Sequence, residues 1–321
     1  MSAGTRKIAV TVSDVVKVNE LVTRFRFVPT DGAPLPTFSG GAHVVVEMQD
    51  GDVTRLNPYS LMSDPMDQSA YTISVRRDDE GRGGSLFMHT KVKPGDQMMI
   101  SYPVNLFALD LRAKKHLMIA GGIGITPFLA QIKQLAAMNG NFELHYSCRS
   151  PALGSYADEL TTAHPGRVHV YFDDQKQAID LETLLDGQPL GTHIYVCGPK
   201  GMINWVRDKA SALGWPREAV HYEEFLAPQS GKPFEVKLAV SNKVITVGEH
   251  QSLLEAMEAA GVDAPYLCRG GACGQCETDV IGYDGKFIHH DHWLEDEDKA
   301  SGKKIMPCVS RFEGKTLVLD R

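Results

Sequence analysis

No apolar run in this 321-residue sequence reaches the roughly 18 residues needed to cross a bilayer, so no helical membrane anchor is expected. The opening residues, MSAGTRKIAV, lack the apolar core of a secretory leader, and the expectation is a cytoplasmic protein with reduced thiols. Basic charge is in deficit: 33 Lys and Arg face 40 Asp and Glu, for a formal charge of −7. Nucleic acid needs a basic patch, none is visible, and no such partner is expected. Internal repeats and low-complexity tracts are also missing, which argues against a solenoid or a disordered tail. What remains is an ordinary globular composition, 43% hydrophobic and 23% charged. The length suffices for two or three domains, each with its own core, and a monomer is expected.

Cysteine is scarce, six in all, but four are arranged informatively. Cys268, Cys273 and Cys276 form C-x4-C-x2-C, and Cys308 follows at a distance, the plant-type spacing for a 2Fe-2S cluster. Three thiolates converge on a small cluster only if the backbone between them curls tightly, which Gly270, Gly271 and Gly274 permit. The same turns aim N–H groups at the sulfurs. Structural zinc is the alternative, although zinc sites more often pair two knuckles, and a disulfide framework is less suited to so long a chain. Cys148 and Cys197 end strand-like runs and are expected to pack or line a site.

Residues 6–102 read as short strands separated by Gly, Pro and Asp: KIAVTVSDVVKV, VTRFRFV, AHVVVEM, YTISVRR and QMMISY. This pattern predicts a small antiparallel barrel. Within it, Arg55-Leu56-Asn57-Pro58-Tyr59-Ser60-Leu61 offers an aromatic face beside a hydroxyl, with an arginine for a phosphate. Gly81-Arg82-Gly83-Gly84-Ser85 opens a helical segment and resembles an anion site. Together they suit a phosphorylated flavin; separately, each also reads as a plain turn or strand surface.

From residue 113 strands alternate with helices, predicting an open, mainly parallel α/β sheet. Gly121-Gly122-Ile123-Gly124-Ile125-Thr126-Pro127 is a tight turn after the first strand, with Pro127 suited to a first helical turn. Ligands of such sheets lie beyond the carboxyl ends of the strands. The glycine turn, Cys148-Arg149, Asp173-Asp174 and Cys197-Gly198-Pro199 are therefore expected to rim one crevice. Asp173 and Asp174 would accept from ribose hydroxyls and repel a 2′-phosphate, favouring NADH, or would simply cap a loop.

A linker near residues 226–233 separates this part from a final unit. There, strands FEVKLAV and KVITV, a helix after a Ser252/Glu255 capping box, the cysteine loop, and strands TDVIG and TLVLD predict a small mixed sheet crossed by one helix. His289-His290-Asp291-His292 reads as a polar loop rather than a metal site. Residues 232–321 hold 11 Lys and Arg against 15 Asp and Glu, matching either a partner with a basic face or a solvated surface. A nicotinamide gives up two electrons at once and a cluster accepts one, so a flavin between them would reconcile the two.

Arg55 with Tyr59-Ser60-Leu61, GRGGS at 81–85, GGIGITP at 121–127, CGP at 197–199, His221-Tyr222-Glu223-Glu224-Phe225 and the four cysteines together resemble the phthalate dioxygenase reductase family, which includes the vanillate demethylase reductases. The resemblance spans nearly the whole chain. It implies three domains: an FMN-binding antiparallel β-barrel at 1–110, an NAD-binding α/β domain at 111–226, and a β-grasp-like plant-type ferredoxin domain at 227–321. It also implies FMN, NADH as donor, and a terminal Rieske-type oxygenase as recipient. By position, Tyr59 and Ser60 would flank the flavin ring, Ser74 and Val75 would meet its edge, and Arg82, Gly83, Gly84 and Ser85 would hold the phosphate. Thr126 would lie near flavin and nicotinamide, with Phe225 covering the ring. The family pattern R-x-Y-S is broken here by Asn57, so the contact of that arginine falls to Asn57, falls to Arg55 by a longer reach, or is lost.

Overall fold

The computed structural model describes residues 7–51, 53–226 and 228–321. Its first unit is a seven-stranded antiparallel sheet: β1 (Lys7–Lys17), β2 (Val22–Pro29), β3 (Ala42–Asp50), β4 (Val53–Ser60), β5 (Tyr71–Arg76), β6 (Gln97–Ser101) and β7 (Val104–Asn105). Alternation drives it. In β2, Phe25 and Phe27 point into the core with Val10, Val12, Val44, Val46 and Ile73, while Arg24 and Arg26 stay outside. The sheet order β4-β3-β6-β1-β2-β5 leaves β4 and β5 as unpaired edges, making a half-barrel. Helix α1 (Gly84–Thr90) packs against both edge strands.

The second unit is a parallel sheet of β8 (Lys115–Gly121), β9 (Phe142–Cys148), β10 (Val168–Phe172), β11 (Thr192–Cys197) and β12 (Val220–Glu223), in the order β10-β9-β8-β11-β12. Helices α2 (Thr126–Ala137), α3 (Ala157–Ala163), α4 (Leu181–Asp186) and α5 (Lys200–Ala212) connect its strands. From Leu117 to Ala120, β8 is an unbroken apolar run because both its faces are covered: Met118 and Ala120 enter one core, Leu117 and Ile119 the other. The order reverses between β8 and β11, which opens a crevice at their carboxyl ends. β12 is an addition to the expected strands, because its four residues are too few to show a period.

The third unit is a mixed sheet, β14-β13-β17-β15-β16, formed by β13 (Phe234–Leu238), β14 (Lys243–Val247), β15 (Thr278–Ile288), β16 (Lys304–Ile305) and β17 (Arg311–Leu319). Helix α6 (Leu253–Ala259) crosses it, started by the Ser252/Glu255 capping box, and α7 (Asp296–Ser301) follows a turn. β15 and β17 are longer than TDVIG and TLVLD suggest, since they extend as a ribbon through glycines 282, 285 and 314. α7 and β16 are additions to the expected elements. Of the linker near 226–233, residue 227 lies outside the described residues. Arg311 fastens the linker's second half to this unit by donating to the carbonyls of Gly231, Lys232, Gly248 and Gln251. Among the described residues, no helix is long and apolar enough to cross a membrane.

Candidate functional site

The cysteine loop curls as its glycines allow: Gly271 and Gly274 have φ of 72° and 74°. Neither tolerates a side chain. A Cβ on Gly271 would meet Val309 at 2.7 Å, and one on Gly274 would meet the Trp293 ring at 2.3 Å. Arg269 adopts φ 53°, held by a two-pronged ion pair to Glu258 and by stacking 3.9 Å over Tyr266. Cys268, Cys276 and Cys308 are buried, and Cys273 is half-exposed. The Gly270 N–H donates to Cys268 Sγ at 3.3 Å. Cys268 and Cys273 face each other, and the contact between their sulfurs lowers the Cys268 thiol and raises that of Cys273, with the amides of Gly270, Ala272 and Cys273 also favouring charge on Cys268. Cys276 is likewise lowered, chiefly by Cys308. Four converging sulfurs in a cradle of inward N–H groups fit a 2Fe-2S cluster.

In the half-barrel, Gly83 has φ 91° and sits on the Arg55 guanidinium, a Cβ there lying 3.2 Å from Arg55 Nε. Gly84 leaves no room beside Asn57, whose Nδ2 would be 2.3 Å from an added Cβ. Arg55 donates to Arg82 O at 2.8 Å and pairs with Asp50 at 2.9 Å. Asn57 Nδ2 lies 3.3 Å from the Tyr59 hydroxyl, which burial pushes up to about 12. Both residues at the broken family pattern thus flank the glycine loop. Arg82 requires a correction: its guanidinium grips Glu255 of α6 at 2.8 and 2.9 Å rather than facing an anion. The Ser85 hydroxyl is also engaged locally, with the backbone of Asp78. The unpaired edges of β4 and β5, with a glycine loop between them, suit a flat phosphorylated ring system.

Ser74 and Val75 lie on β5, which packs against the Gly122–Ile125 turn of the second unit. The Ser74 hydroxyl is 2.6 Å from that of Tyr156, tying the two units together, and His89 contacts Val75 O at 2.8 Å. Gly121, Gly122, Gly124 and Thr126 form the turn after β8; Thr126 is buried and donates to Ile123 O at 3.0 Å. Gly124 must be glycine, since a Cβ would stand 2.3 Å from Cys197 O. Gly198 approaches Gly121 closely, and Pro199 would meet a Cβ on Gly121 at 2.8 Å. The glycine turn and Cys197-Gly198-Pro199 are therefore one surface. Arg149 and Asp174 meet at the neighbouring strand ends, where Asp174 N–H donates to Arg149 O at 3.0 Å, with Asp173 beside them. Cys148 and Cys197 are buried and raised by desolvation, Cys197 also by Glu223.

Glu223 stands in the sequence only as part of the 221–225 motif, without a role of its own. It ends β12 in register with Cys197, and although the residue as a whole is half-buried, its Oε2 is enclosed with no hydrogen-bond partner among the described residues. Burial pushes its carboxyl up to about 8. Between the ordinary carboxyl value near 4.3 and about 8, the folded chain holds a proton that the unfolded chain has released, so stability falls as pH rises through that window. Glu223→Gln is expected to melt at least about 2 °C above wild type at pH 7.5 and no higher at pH 4.5. A shift of equal size at both pH values would show that the carboxyl's ionisation is not the cause.

Beyond Glu223, the chain leads directly to the cysteine loop. Phe225 is exposed, Glu224 Oε2 lies 2.6 Å from His292 Nε2, and the carbonyl of Leu226 would be 3.6 Å from a Cβ on Gly270. His292 N–H donates to Gly271 O at 3.1 Å. Asp291, fully buried, accepts from Leu294 N–H and from the Ser310 hydroxyl. The 289–292 tract is thus a strut between units. A separate trio, Glu143, His145 and His169, is already satisfied: His145 contacts Tyr171 and Glu143, and Lys115 holds the other Glu143 oxygen.

Two family models match the chain: the N-terminal domain of the DmmA-like dimethylamine monooxygenase subunit over residues 98–220, and the 2Fe-2S iron-sulfur cluster binding domain over 236–313. The carnitine monooxygenase reductase subunit of Acinetobacter baumannii is 46% identical over 311 residues, covering 96% of each chain. The heme-dependent oxidative N-demethylase beta subunit of Ectopseudomonas mendocina is 46% identical over 286 residues, covering 89% of this chain and 90% of its own. The solved structure of phthalate dioxygenase reductase, described as modular for electron transfer from pyridine nucleotides to [2Fe-2S], superposes with a TM-score of 0.89 at 35% identity, covering 98% of both chains.

Proposed function

Because this chain belongs to the phthalate dioxygenase reductase family, we propose that it is the NADH-dependent reductase component of a two-component Rieske-type oxygenase, with FMN and a 2Fe-2S cluster as cofactors. It is an oxygenase-reductase subunit and a flavin and iron-sulfur oxidoreductase. The observation that carries the reading is the continuity of Glu223-Glu224-Phe225-Leu226, which runs from the nucleotide crevice to the backbone of the cluster loop. When bound, the cofactors supply the conversion of a two-electron hydride into single electrons. Everything the polypeptide does is placement.

Gly124 and Gly198 would let backbone approach the nucleotide, and Arg149, Asp173 and Asp174 would meet its ribose and phosphate end. Thr126 would stand beside the flavin and nicotinamide, and exposed Phe225 would cover the flavin ring when the nucleotide is absent. The Glu223 carboxyl, protonated at neutral pH, offers both a donor and an acceptor where a carboxamide would arrive. Arg55 and Asn57 take the place of the family's arginine beside Gly83, Gly84 and Ser85, with Tyr59 and Ser60 at the ring. Arg55→Ala is expected to raise the flavin dissociation constant about tenfold or more, as befits a lost charge-assisted bond. Flavin fluorescence during titration of the stripped protein measures it; unchanged affinity would remove Arg55 from the site.

The assignment is tested by offering the reductase and NADH to purified oxygenase components of the carnitine monooxygenase, phthalate dioxygenase and heme-dependent N-demethylase kinds. Reduction of a Rieske-type component supports the proposal. A second reading follows from the heme-dependent relative: exclusive reduction of that component would make the acceptor a haem protein. Failure with all three overturns both.

A further inference from the structure

Electron transfer weakens steeply with distance, so a protein acceptor must dock where the cluster comes nearest the surface. Of the four cysteine ligands only Cys273 is not buried, and its neighbours Ala272 and Gln275 are exposed. The outlet is therefore the 272–275 arc. Trp293 covers this arc. Its ring occupies the space where Gly274 would carry a Cβ, and its Nε1–H donates to Glu277 Oε2 at 2.8 Å, yet the residue remains 48% exposed.

Half-exposed indole with a fixed rotamer is costly to leave in water and loses little entropy on being covered, the character of an interface anchor. Behind it, Asp291 and His292 bind the same turn to the core and to Gly271, so the indole cannot swing away freely. Just after it in sequence comes a run of acidic residues. Glu295, Asp296 and Glu297 are exposed and make no ion pair among the described residues, whereas Glu277 is shared with Lys304 at 2.9 Å.

We propose that Trp293 and its rim of Glu295, Asp296 and Glu297 form the docking face for the protein electron acceptor, which presents an apolar pocket edged by Lys or Arg. This rests on the reductase assignment above and adds where the acceptor binds. Trp293 provides residence; the acidic rim provides steering, which salt weakens.

The test uses the holoenzyme and whichever oxygenase component wild type reduces in the panel above. Trp293→Ala is expected to lower kcat/KM for that component at least tenfold, with cluster absorbance and NADH-to-ferricyanide turnover retained. Neutralising the rim with Glu295→Gln, Asp296→Asn and Glu297→Gln should flatten the fall of kcat/KM with ionic strength. Should Trp293→Ala lose the cluster, the charge-reversal variants Glu295→Lys and Glu297→Lys decide the matter, expected to lower kcat/KM at low salt at least tenfold. Wild-type activity with unchanged kcat/KM and salt dependence in the cluster-retaining variants would overturn the docking face while leaving the reductase assignment intact. If no component is reduced by wild type, the assignment itself fails, and the docking face with it.

Discussion

Cys308→Ser is expected to lose the iron-sulfur cluster, keep NADH-to-ferricyanide turnover within about twofold of wild type, and lower reduction of a one-electron protein acceptor at least about a hundredfold. Cys308 lies between β16 and β17, far in sequence from the other three cysteines of the motif, and its 2% exposure means that no solvent ligand could replace it easily. A serine oxygen is too hard and too weakly acidic to hold iron as a thiolate does. The substitution is nearly isosteric, so the core of Val309, Met306 and Leu254 around it should stay packed. The half-barrel and the parallel sheet have cores of their own, and nothing in them depends on the thiol. Absorbance and electron paramagnetic resonance report the cluster; the two acceptor assays report the path. Equal loss in both assays would mean that flavin and cluster do not act in series.

Glu255→Gln should have the next largest effect, through the arrangement of the units rather than their chemistry. Arg82 and Glu255 have side-chain exposures of 8% and 12%, so they form a buried ion pair between the half-barrel and the cluster-bearing unit. Leaving the arginine buried and unpaired costs about 3 kcal/mol or more, on the order of a hundredfold in the docking equilibrium. Glutamine can still accept from the Ser252 N–H, so the capping box and α6 survive. Cluster reduction after rapid mixing with NADH is expected to slow at least about tenfold, with flavin reduction unchanged. A wild-type rate would show that the units stay docked without the pair.

The same pair has a predictable acid limit. Burial alone would raise the Glu255 carboxyl, but the Arg82 guanidinium and the Ser252 amide outweigh it and hold the group below the ordinary carboxylate value. A depressed carboxyl contributes stability above its unfolded value near 4.3 and loses it as pH falls through the folded one. Docking should therefore be indifferent to neutral pH and weaken only in acid.

Much of this architecture could be anticipated residue by residue. Alternation at Phe25 and Phe27, the doubly apolar run of β8, and the Ser252/Glu255 box each express an interaction spanning a few residues. The C-x4-C-x2-C spacing and the glycine turn at 121–124 are legible for the same reason. Short β12 shows no period, and the burial of Glu223 at its end emerges only once Cys197 stands beside it in register. Arg82 illustrates the opposite failure: a loop rich in glycine suggested an anion, while its actual partner lies 173 residues away.

Taken alone, the amino-acid order determined the longer strands and helices and the cysteine loop, because hydrophobic period, capping and close cysteine spacing act over one or two turns of chain. Which surfaces meet was decided only by tertiary packing: Arg82 on Glu255, Glu224 on His292, and Trp293 over Gly274. Those contacts depend on burial and orientation after whole units have condensed. No local preference encodes a charge that finds its counterpart only when two separate cores are pressed together.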